Sequence, residues 1–139
     1  MLIRFLLASA FLSLSLPLMA QATDPFHETE TLPVFESCAH IQGDQNEQQI
    51  CFSRFIMDHL MNELQWPEGL KENGKVFVEL TFDAKGHLAE VNSMRSYDDL
   101  AKAEALRAVR TLPDPIRPGT VDGEAAPVTM VVPVMFTRN

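Results

Sequence analysis

From Lys75 to Val91 the chain carries the pattern that most restricts what it can fold into. Val76, Val78, Leu80 and Phe82 alternate with Phe77, Glu79, Thr81 and Asp83, the period of two that turns one set of side chains inward and the other to water. Asp83-Ala84-Lys85-Gly86 follows, a turn opened by an aspartate and closed by a glycine free to take positive φ. The chain then returns through His87, Leu88, Ala89, Glu90 and Val91. The reading is a β-hairpin. A lone hairpin is marginal in water, so its apolar face must be covered by a third strand or a helix.

Two helices are available as cover. Phe52, Phe55, Ile56, Leu60 and Leu64 recur at three- and four-residue spacings, which places them on one stripe. Asn46 can cap this helix, with Gln49 as a capping-box partner, and Trp66-Pro67 ends it, because the residue before a proline is driven out of the α region. Met57 and Met61 flank the stripe as gap fillers. Past the hairpin, Ser96 can cap a second helix with Asp99 in its first turn. Ala101, Ala105, Ala108, Val109 and Leu112 share one side of it, Glu104, Arg107 and Thr111 the other. Pro113 stops it.

A loop rich in proline and glycine runs from Pro113 to Ala126, read as ordered but without regular structure. Beyond it, Val128, Met130, Val132, Val134 and Phe136 alternate with Thr129, Val131, Pro133 and Met135, a closing strand. Pro133 cannot donate to a ladder, which confines such a residue mainly to edges, strand starts and bulges. One side of the last strand should therefore be open, a template for another strand.

At the amino end, Arg4 precedes an apolar run from Phe5 to Leu16, then Pro17 and Ala20-Gln21-Ala22. This is the layout of a secretory signal peptide, with cleavage expected after Ala22 and Ala20 as second choice. A retained segment would instead hold the protein at the membrane. Residues 1–22 are read as the signal, 23–32 as a flexible lead-in and 33–139 as one domain. The whole chain has net charge −8, and removing the signal takes away one more positive charge. Such a balance argues against nucleic acid as a partner.

Cys38 and Cys51 are the two cysteines, and export carries them into an oxidising compartment where an even count reads first as a disulfide. A metal pair or a nucleophile are the competing uses. His27, His40, His59 and His87 are spread over a tail, a loop, a helix and a turn, and no His-Glu-x-x-His pair, Gly-x-Ser-x-Gly elbow or phosphate-cradling glycine loop occurs. The sequence offers no catalytic constellation, no cofactor motif and no metal-ligand spacing. The reading is a protein that is not an enzyme.

Several short pieces in a fixed order carry a resemblance. They are Trp66-Pro67, Glu72-Asn73-Gly74-Lys75-Val76, Phe82-Asp83-Ala84-Lys85-Gly86-His87-Leu88, Leu112-Pro113 with Pro118-Gly119, Gly123, and Pro133-Val134-Met135-Phe136. Together the chain from Pro33 to Phe136 resembles the C-terminal domain of TonB-family energy transducers. Cys38 and Cys51 ahead of an apolar helix are similar to a subgroup with paired cysteines. Ser37 stands where the family often has glycine, and Ile116 where an aromatic is usual.

The resemblance implies an α+β fold, two helices packed on a three-stranded antiparallel sheet, in a periplasmic protein-binding module linked to TonB-dependent transport. It further implies that an extended peptide, such as the N-terminal box of an outer-membrane transporter, adds along the last strand. The contact residues would be Val128, Thr129, Met130, Val131, Val132, Val134, Met135 and Phe136. The alternative is a structural envelope protein whose edge pairs with a second copy, giving a homodimer.

Overall fold

The computed structural model describes residues 30–139, so the signal peptide and most of the lead-in lie outside the described residues. In chain order come β1 (Glu30–Thr31), a single 3-10 turn (Glu36–Cys38), α1 (Gln45–Glu63), β2 (Gly74–Phe82), β3 (Leu88–Arg95), α2 (Asp99–Arg110), β4 (Thr120–Val121), β5 (Glu124–Ala125) and β6 (Val128–Phe136). The main sheet is antiparallel with order β3-β2-β6. Both helices bury their apolar stripes on one of its faces. This is the α+β arrangement the sequence implied.

The hairpin forms as its alternation requires. Val76, Val78, Leu80 and Phe82 are fully buried, each contributing about 1.5–3 kcal/mol by leaving water. In the turn, Asp83 Oδ1 accepts hydrogen bonds from the amides of Lys85 and His87, both 2.9 Å, and Gly86 takes φ +87°. β2 pairs with β6 over nine consecutive residues without a bulge, whereas its pairing with β3 is interrupted at Phe77/Val78 and Thr81/Phe82. β6 is thus the straighter neighbour.

Above the sheet, Phe52, Ile56 and Leu60 of α1 meet Ala101, Ala105, Ala108 and Val109 of α2 in one core. The alanines let α2 lie close to the strands. Phe35 completes this core, its ring 5.2 Å from Phe52, 4.2 Å from Phe55 and 6.1 Å from Phe82. Cys38 and Cys51 form a disulfide with Cα atoms 5.9 Å apart. Both sulfurs are thereby committed, which removes the metal-pair and nucleophile readings.

Several local expectations are corrected. Asp44, not Asn46, caps α1, its Oδ1 accepting from the Asn46 and Glu47 amides at 3.0 and 3.2 Å. Gly43 at φ +78° reverses the chain just ahead of it. Asp98, not Ser96, caps α2 through the amides of Leu100 and Ala101, because the Ser96 hydroxyl is used in the preceding turn, donating to the Asp98 carbonyl. Met61 is 76% exposed and fills no gap.

The end of α1 also differs. The helix stops at Glu63 with Leu64 already extended, and the next amide, that of Gln65, donates to Glu104 Oε1 at 2.8 Å. Arg107 binds both oxygens of Glu104 and donates to the Glu63 carbonyl at 2.9 Å. This side of α2 clasps the end of α1 at the surface. The Arg107 guanidinium holds the Glu104 carboxyl below its ordinary range.

The stretch from Pro113 to Ala126 is more regular than expected. β4 and β5 form a small hairpin whose turn, Asp122-Gly123, has positive φ at both residues, the combination that two-residue hairpin loops favour. β1 pairs with β4, and Val34 bridges Arg117. The beginning of the described chain is thus laced to this loop as a second, three-stranded sheet.

Candidate functional site: the open edge of β6

β6 is paired on one side alone among the described residues: β2 holds one flank and no strand holds the other. Its alternation is clear in burial. Val134 and Phe136 are buried, Val128, Met130 and Val132 are half-buried on the same face, and Thr129, Val131, Pro133 and Met135 are exposed on the other.

The register fixes which backbone groups look outward. In an antiparallel pair, residues exchange both backbone bonds with the partner or turn both away from it, alternately along the strand. Pro133 sits opposite Phe77 in an unbroken ladder and has no N–H to give, so its parity is the one that turns away from β2. The Thr129 and Thr81 hydroxyls agree with this, lying 2.9 Å apart, since side chains approach most closely at pairs without mutual backbone bonds. Thr129, Val131 and Met135 therefore direct an N–H and a C=O to the open side, and Pro133 a C=O only. Val128, Met130, Val132, Val134 and Phe136 direct theirs to β2.

This geometry divides the residues singled out from the sequence. Thr129, Val131 and Met135 offer backbone to the open side, while Val134 and Phe136 are core side chains whose backbone is used within the sheet. Trp66 closes over the latter end, its ring 6.5 Å from that of Phe136 and its Nε1 donating to the Leu70 carbonyl. Arg138 lies across the Trp66 ring at 5.6 Å, a favourable cation–π placement.

Beside the edge a groove of about 310 Å³ opens between β6 and α1. Leu32, Phe52, Ile56, Met57, Met130 and Val132 supply its apolar surface, and its lining ends at Pro133. Leu32 reaches it from the segment after β1, so the described amino end flanks the Val128 end of the edge while pairing with β4. The sequence reads Phe52 and Ile56 as core and the methionines of α1 as packing in preference to a binding surface, whereas all three of Phe52, Ile56 and Met57 line the groove. Met57 reads from spacing as a core flank, and only the tertiary placement of β6 sets it beside the edge.

At the end of the sheet where Phe82 faces Val128, on the β3 side, His87 Nδ1 lies 2.9 Å from Asp114 Oδ2, and Asp114 Oδ1 accepts from the Leu88 amide. The Asp114 carboxylate raises the His87 pKa above 6.5, and His87 lowers that of Asp114. The pair ties the hairpin turn to the proline-rich loop and stands apart from the edge.

Residues 68–137, half of the chain, match the family described as Gram-negative bacterial TonB protein C-terminal. The chain belongs to the TonB C-terminal family. The match takes in β2, β3, α2, the loop hairpin and β6 of this TonB domain, and leaves out α1 with its disulfide. No curated protein and no solved structure matches the chain. TonB C-terminal domains are protein-interaction modules of the Gram-negative envelope, tied to transport and not an enzyme family. Among the described residues, no three His, Cys, Asp or Glu side chains are grouped to hold a metal, and no helix is long and apolar enough to cross a membrane.

Proposed function

We infer that this TonB domain works in the periplasm after removal of residues 1–22, and that it binds an extended segment of an envelope partner along the open side of β6. An outer-membrane transporter's N-terminal box is the segment that family membership favours. One observation carries the reading: among the described residues β6 has a strand on a single flank, with the backbone groups of Thr129, Val131 and Met135 turned to the other. An added strand would draw affinity from the backbone ladder and selectivity from alternate side chains.

Titration of the protein with transporter N-terminal peptides, followed by amide chemical shifts, tests this. The amides of Thr129 and Val131 should move first, with those of Met130 and Val132, already bonded to β2, moving less. Unchanged shifts along β6 at millimolar peptide would remove transporter boxes as ligands. A second reading, self-pairing of the same edge into a homodimer, is favoured by the 49% and 50% exposure of Val131 and Met135. Sedimentation at rising concentration separates the two, because a persistent monomer leaves the edge free for a guest.

A further inference from the structure

We propose that Pro133 divides the open edge of β6 and limits the partner to a short stretch of extended chain, held against Thr129–Pro133 and ending there. The proposal rests on the strand-addition reading above and specifies how much of the edge a guest can use. Its occupant is a partner segment of roughly four or five residues, whose inward side chains are uncharged and apolar.

Two independent observations coincide at Pro133. The first is the backbone. Toward the Val128 end, Thr129 and Val131 each offer a donor and an acceptor. At Pro133 the donor is missing, so a guest carbonyl arriving there finds no partner. A guest that continues toward Met135 leaves one acceptor unmatched in the middle of its ladder, which costs on the order of one ladder bond.

The second is the neighbouring surface. Strand neighbours on one face lie side by side, so a guest's inward side chains fall beside Met130 and Val132. These border the groove to α1, which offers room beside Leu32, Ile56 and Met57 and ends at Pro133. Past Pro133 the inward positions are Val134 and Phe136, already buried, with Trp66 packed against Phe136. A guest thus loses its backbone donor and its side-chain pocket at the same residue.

Charge selects the guest as well. The chain carries 19 acidic against 11 basic side chains, yet among the described residues the groove lining contains no ionisable group. A charged side chain seated there would give up water without a counter-ion. Peptides with apolar residues at alternate positions fit this surface; those with Asp, Glu, Lys or Arg facing inward do not.

The test needs no natural partner. A flexible linker of sixteen glycine and serine residues, spanning about 22 Å on average, is appended after Asn139 and followed by eight residues of alternating threonine and valine. The tether supplies a millimolar effective concentration and permits either strand direction. Amide hydrogen exchange is then compared with that of the unextended protein. The expected result is slowed exchange at Thr129 and Val131, with Met135 unchanged.

Pro133→Ala restores the missing donor. Protection should then extend to position 133 and Met135, and exchange at Thr129 and Val131 should slow about fivefold further, the worth of one added bond. Val131→Pro is the converse: it removes an outward donor without touching the bonds to β2, so Met130 and Val132 stay protected while the gain at Thr129 is lost. Met135 protected together with Thr129 and Val131 in the unsubstituted protein, with no change in Pro133→Ala, overturns the proposal and leaves strand addition standing. No slowing at any outward amide in any variant overturns both.

Discussion

The ring of Tyr97 lies across Gly74. A Cβ built on Gly74 would fall 2.5 Å from Tyr97 Cε1, closer than carbon atoms can approach, and the Tyr97 hydroxyl donates to the Glu72 carbonyl at 2.8 Å. The turn that follows β3 is thereby fastened over the first residue of β2, and the absence of a side chain at position 74 is what permits it. Gly74→Ala should destabilise the protein by about 1–3 kcal/mol, the range for overpacking. Urea unfolding of the single variant and of Gly74→Ala with Tyr97→Ala would show it, since removing the ring should recover most of the loss.

Phe35 is a further anchor. It is buried and packs against rings from α1 and β2, although it lies ahead of both elements and ahead of the family match. Phe35→Ala should cost about 3–5 kcal/mol. A loss below about 1 kcal/mol in urea unfolding would mean that the segment before α1 is not part of the cooperative unit.

The disulfide closes a loop with a sequence separation of 13. In the chain-entropy account a loop of this size stabilises by about 3 kcal/mol. Replacing Cys38 and Cys51 together by alanine should lower the urea midpoint accordingly and leave the β2–β6 amides in their native positions, because the bond joins the 3-10 turn to α1 and neither cysteine belongs to a strand of the main sheet.

The pair of His87 and Asp114 predicts a pH dependence. The His87 pKa is raised above 6.5 by its hydrogen bond to Asp114, so what the pair adds is complete below 6.5 and fades as pH rises through the raised value. The Asp114 pKa is lowered below 3.8, chiefly by the bond to His87, so that share is present above 3.8 and fades as pH falls through the lowered value. The tie between turn and loop is fullest between those limits. Proton titration of the His87 ring by NMR should give a pKa above 6.5, and Asp114→Asn should bring it back toward that value.

Much of this architecture could be read from residues alone. β2 declares itself because Val76, Val78, Leu80 and Phe82 alternate with outward residues that are mostly polar, β6 because its inward residues are all apolar and it is rich in valine, and the Asp83 turn because one aspartate and one glycine satisfy its geometry. α2 shows itself through alanines at helical spacing. The caps lie two residues from the expected positions because Asp44 and Asn46, or Ser96 and Asp98, have the same local chemistry, and the turn ahead of each helix chooses between them. β1, β4 and β5 are two residues long, too short for any period; β4 and β5 are joined by the Asp122-Gly123 turn, and β1 meets β4 where Thr31 reaches Thr120 across 89 positions. The open edge was inferable from Pro133. The groove beside it was not, since nothing in local spacing brings Met57 to Val132.

The link between Cys38 and Cys51 also governs how the molecule would respond to a pull. Tension entering ahead of Glu30 and leaving through α1 crosses two sulfur atoms in place of the intervening peptide units. Roughly 40 Å of slack is thereby withheld. A tug on the amino end reaches the helix, and through it the sheet, with little of the lengthening that an unbridged loop would first have to undergo.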